Sequence, residues 1–144
     1  MTNNSYRKVL FIIAIYTFLV TIVHGAWHWY LPGYPATRGI APALLQTLLL
    51  MNAAITLFLL IMGLAALAAA RSASLTEQQR RAVTLLLLAF WLGRLVLEFV
   101  MPVGLPLLFI DKPQLLAKIL IALPVVLLSL ALLGNSGRAV RPGR

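Results

Sequence analysis

Seven side chains in this sequence could do chemistry: His24, His28, Asn52, Trp91, Arg94, Glu98 and Lys118. All lie within runs that are otherwise almost wholly apolar. Ionisable groups are costly in hydrocarbon, so those that occur there face protein or water and usually mark a site. His24 and His28 stand four residues apart, on one helical face, where they can share a metal ion. Glu98 would complete a two-histidine, one-carboxylate set. Arg94 and Lys118 point to a different chemistry, since they would repel a cation and complement an anion. With His24 and Asn52 as hydrogen-bonding groups and Trp91 as an apolar wall, the same residues describe a pocket for a polar or anionic amphiphile: a lipid headgroup, a quinone or a small carboxylate.

Each of these residues also has a plainer role. Arg94 and Glu98, at i and i+4, can simply neutralise one another, although Arg before Glu is the less favourable order. His24 can be a hydrogen-bonded packing residue, His28 an interfacial one, and Asn52 a link between helices. Lys118 can extend its stem to reach the interface. Gly63, Ala66 and Ala70 suit close helix packing and carry no chemistry. Taken together, the plain readings leave two buried cations against one carboxylate, and that imbalance favours a polar cavity.

Several function classes are excluded. There is no cysteine, so thiol catalysis, disulfides and thiolate metal sites are absent. No serine neighbours a histidine, and the chain has only three carboxylates, too few for a catalytic set. His24 and His28 on one face cannot be opposite axial ligands of a single haem. The membrane-embedded glutamate of small multidrug exporters, carried in their first span, has no counterpart here. No catalytic residue and no cofactor is assigned, and an enzyme is not expected.

The elements that hold these residues follow from composition. Of the 144 residues, 62% are hydrophobic and 10% charged, more apolar surface than a soluble domain of this size can hide. A membrane-spanning helix needs about 20 mostly apolar residues. Four runs qualify, about 9–30, 42–66, 82–101 and 113–134. They predict an all-α integral membrane protein, a single four-transmembrane-helix bundle over 9–134, with a short N-terminus (1–8) and a basic tail (135–144). The first run is longer than a signal-peptide core and lacks a small-x-small cleavage site, so it is read as a retained span.

Turn and cap residues mark the boundaries. Leu31-Pro32-Gly33 ends span 1, with a second turn signal at Tyr34-Pro35. Pro42 opens span 2, which can run to about Ala70. Ser74-Leu75-Thr76-Glu77 has the capping-box pattern, placing Gln78, Gln79, Arg80 and Arg81 on a wet cytoplasmic turn. Span 3 ends at Pro102, and 103–110 lies along the interface. Asp111 caps span 4, Pro113 sits just inside it, Pro124 kinks it, and Gly134-Asn135 ends it.

Basic residues set the orientation. Arg7, Lys8, Arg71, Arg80, Arg81, Arg138, Arg141 and Arg144 lie on one side, against Arg38 and Lys112 on the other. The positive-inside rule then places both termini in the cytoplasm and the chain in the inner membrane. Trp27, Trp29, Tyr30 and Tyr34 form an aromatic belt at the outer face. The scattered basic residues carry no nucleic-acid motif. Helical rise places His24, Glu98, Asn52 and Lys118 about 6–9 Å outward of their span centres, with Arg94 near the midplane and His28 near the outer interface. Polar residues also form one stripe per helix: Thr17, Thr21, His24 and His28; Asn52 and Thr56 with Gly63; Trp91, Arg94 and Glu98; Gln114, Lys118 and Ser129.

The expectation is therefore a small polytopic membrane protein with a polar pocket in its outer half, binding a lipid-like, quinone-like or anionic small molecule. The alternative is a non-catalytic accessory subunit or assembly factor of a larger membrane complex. A metal site of His24, His28 and Glu98 stands third. Expected partners are membrane lipids and, within the membrane, another protein or a second copy.

Overall fold

The computed structural model describes residues 3–33, 38–100 and 113–136. The expectations for Tyr34-Pro35, Pro102, 103–110, Asp111, Lys112 and the tail arginines Arg138, Arg141 and Arg144 lie outside the described residues. The described chain is all helix and turn, with no strand. Four long helices are α1 (Asn3–Tyr30), α2 (Pro42–Arg71), α3 (Glu77–Val100) and α4 (Pro113–Ser136), and a single 3₁₀ turn spans Leu31–Gly33. All four are long and apolar enough to cross a membrane.

The helix ends follow local chemistry. Pro42 and Pro113 each occupy the first helical position, where a missing N–H costs nothing. The Leu31–Gly33 turn closes α1. Gly39 has φ +89°, the left-handed conformation that glycine adopts without a Cβ penalty. Two expectations shift. The helix starts at Asn3, so the short N-terminus is largely helical, because Tyr6 and Arg7 find partners there. The capping box is also two residues later than Ser74–Glu77: Thr76 N donates to Gln79 Oε1 (2.8 Å) and Gln79 N donates to Thr76 Oγ1 (3.2 Å). Ser74 instead pairs its hydroxyl with that of Ser72 at 2.8 Å. α4 continues as helix through the buried Pro124.

The chain falls into two compact units. One is Ile12–Ala65, the other joins Met1–Phe11 to Ala66–Arg144. In the Ile12–Ala65 unit, α1 and α2 run antiparallel, Phe18 meeting Gly63 and His24 meeting Asn52. A Cβ at Gly63 would lie 2.9 Å from Phe18 Cε1, so the missing side chain is what lets the ring seat against α2. Thr17 and Thr21 each donate a hydroxyl hydrogen to the carbonyl four residues back, which satisfies them within α1.

In the other unit, α3 packs on α4. Arg80, Thr84, Leu87, Trp91 and Glu98 recur at intervals of three, four and seven as one buried stripe of α3. Ile121, Pro124, Leu128 and Ala131 form the corresponding buried stripe of α4. Ala66, Ala69 and Ala70 are buried at the end of α2, where small side chains permit close approach.

Candidate functional site

The Ile12–Ala65 unit holds three of the seven candidates. Asn52, mostly buried on α2, reaches α1 through both ends of its amide. Its Nδ2 donates to the His24 carbonyl at 2.8 Å, and its Oδ1 lies 3.1 Å from His24 Nδ1. Thr56, one turn further, donates its hydroxyl to the Asn52 carbonyl at 2.7 Å. Gly25 has Thr56 as its nearest neighbour, a Cβ there standing 3.9 Å from Thr56 Cγ2. His28 is half-buried and meets Trp29 edge to face, ring centroids 5.9 Å apart. Its Nδ1 is buried and has no hydrogen-bond partner among the described residues. Trp29 and Tyr30 are exposed, at 85% and 58%.

The other unit holds Trp91, Arg94, Glu98 and Lys118. Arg94 Nη2 is 2.9 Å from Glu98 Oε2; the Glu98 side chain is fully buried, whereas 34% of the Arg94 side chain is exposed. One helical turn separates the two on α3, so the pair forms within the helix. Trp91 is buried and meets Phe90 edge to face at 5.2 Å. Lys118 Nζ stands 4.9 Å from the centre of the Phe99 ring, a cation–π contact one residue beyond Glu98. The α3–α4 pairing thus brings both cations to the same end of α3. Gln114, on the Lys118 stripe, is exposed. Among the described residues no three His, Asp or Glu side chains are grouped to hold a metal ion.

A second polar cluster in the same unit has no counterpart in the sequence reading. Arg80, expected on a wet turn, is buried. Its Nε donates to the Ala69 carbonyl at 3.1 Å and its Nη2 to that of Ser72 at 2.6 Å. Arg7 does the same for the neighbouring carbonyls, Nε to Ala70 at 2.7 Å and Nη2 to Arg71 at 2.8 Å. The last three carbonyls of α2 and that of Ser72 just beyond it, which have no partner within the helix, are thereby taken up by two guanidinium forks. The positive charges also oppose the negative end of the helix dipole. Tyr6 adds a third tie, its hydroxyl 2.5 Å from Thr84 Oγ1 and 3.4 Å from the Arg80 carbonyl. Arg71 lies 5.1 Å from the centre of the Phe11 ring. The available sequence signal was an arginine one turn into a helix that closely follows the end of another.

Comparison with known proteins gives no family model that matches the chain, no similar curated protein and no solved structure of matching fold.

Proposed function

We propose that the chain is a multi-pass inner-membrane protein with both termini in the cytoplasm, and that Arg94, aided by Lys118, binds the anionic group of a lipid-like molecule. Membrane insertion is supported by the apolar side chains that the helices expose, such as Ile22, Leu50, Leu57 and Leu133. A soluble monomer rarely leaves contiguous apolar patches of more than a few hundred Å². The orientation rests on the basic residues of the connectors and termini. Reporter fusions after Arg144 and within 32–39 are expected on opposite sides of the membrane, and finding both on one side refutes the topology.

The binding reading is carried by Arg94. A guanidinium has five N–H donors. Among the described residues Arg94 meets Glu98 alone, through Nη2, and its side chain stays one-third exposed. At the depth of a span, unused guanidinium donors call for an acceptor. Lys118 adds a second cation at the same end of α3, against the single carboxylate of Glu98. The role of the site is to hold and orient an anionic headgroup; no bond-making step is assigned to it.

Native mass spectrometry in mixed phosphatidylglycerol and phosphatidylcholine tests this. The wild type is expected to retain phosphatidylglycerol preferentially, and Arg94→Gln to lose most of that preference. Equal retention of the two lipids by the wild type refutes the reading. A retained protein partner without lipid preference would point to the accessory-subunit alternative.

A further inference from the structure

We infer that His24 is a hydrogen-bond acceptor for a hydroxyl-bearing amphiphile, with Asn52 as the residue that positions it. The inference stands on α1 and α2 alone and is independent of Arg94. The amide of Asn52 is oriented by the His24 carbonyl: only Nδ2 can donate to that oxygen, and it does so at 2.8 Å. Oδ1 is therefore the atom facing His24 Nδ1, 3.1 Å away. An amide oxygen has no hydrogen to give, so Nδ1 must carry the proton. When the imidazole is neutral, its lone pair then lies on Nε2.

That lone pair is unused. Among the described residues His24 has no partner beyond Asn52, and Nε2 is not among the buried atoms lacking a partner. His24 is only half-buried, so its ring is not closed off from outside the chain. Thr21 and Thr56, the nearby hydroxyls on the two helices, are committed to the Thr17 and Asn52 carbonyls and do not compete for it. His28 lies one turn along the same stripe. Its buried Nδ1 has no hydrogen-bond partner among the described residues, and such an atom calls for a polar group that has yet to be supplied. A hydroxyl meets the need of His24, since it can donate to Nε2. Within apolar helices, the matching ligand is a membrane-soluble phenol or alcohol, and a hydroquinone is the natural probe.

The test uses the full chain in nanodiscs with ¹⁵N-labelled histidine. The His24 resonances are expected to report hydrogen on Nδ1, and an alkyl hydroquinone to shift Nε2. The hydroquinone should bind about three- to tenfold tighter than its dimethyl ether, the ratio expected of one net hydrogen bond. His24→Phe should abolish the ratio, and Asn52→Ala should move the proton toward Nε2 and reduce it. Hydrogen on Nε2 in the wild type, or equal binding of hydroquinone and ether, would overturn the inference without touching the anion reading.

Discussion

Arg80→Leu is expected to lower the free energy of unfolding by about 3 kcal/mol or more, while Arg81→Leu, one residue on, leaves it nearly unchanged. Arg80 supplies the donors for the Ala69 and Ser72 carbonyls, and a hydrogen bond from a charged group contributes about 1.5–3 kcal/mol. Leucine can fill the space but cannot donate, so two carbonyls at the end of α2 lose their partners. Arg80→Lys should recover only part of the loss, because an ammonium cannot reproduce the two-pronged geometry of the guanidinium. Unfolding of the variants in one fixed detergent decides the matter. Coincident transitions for the two leucine variants would mean that Arg80 does not cap α2.

Arg94→Leu is expected to cost about 3–5 kcal/mol, the usual penalty for removing one member of a buried ion pair. The member left behind is Glu98, whose side chain is fully buried and whose ion-pair partner lies 2.9 Å away. Arg94→Leu combined with Glu98→Leu should restore most of the stability, since apolar replacement of both members of a buried pair is often neutral or better. Stability and binding then separate. The double variant should fold but retain phosphatidylglycerol no better than phosphatidylcholine. If it folds and keeps the lipid preference, the pair is scaffold only and the anion site at Arg94 is wrong.

The contrast between Arg80 and Arg94 shows what a sequence can convey. The Arg94–Glu98 pair is legible because spacing alone places the two groups on adjacent turns of one helix. The starts of α2 and α4 are legible because proline at a first helical position is local chemistry. The role of Arg80 was not legible: an arginine in a first turn faces either water or the end of another helix, and only the tertiary arrangement decides which. Composition reads both cases as a wet connector. The Thr76–Gln79 box was displaced for a related reason, because Ser74 and Thr76 are equally good caps until Ser74 is engaged by Ser72. For His24 and Asn52, helical rise suggested similar depth, but the direction of the amide, and with it the tautomer, depends on a carbonyl that no pattern of residue types reveals.

The chain positions of these ties impose an order on biosynthesis. His24 and Asn52 are 28 residues apart, so both exist before α3 has been made. Tyr6 and Thr84 are 78 apart, and Arg7 must wait for Ala70 and Arg71. The first turns of α1 thus emerge long before anything can hold them, whereas the middle of the same helix finds its neighbour early. Closing the longer loop carries an extra entropic cost of about 1 kcal/mol. A nascent chain that has released residues 1–65 from the ribosome, and no more, can therefore form the histidine–asparagine tie but not the arginine clamp.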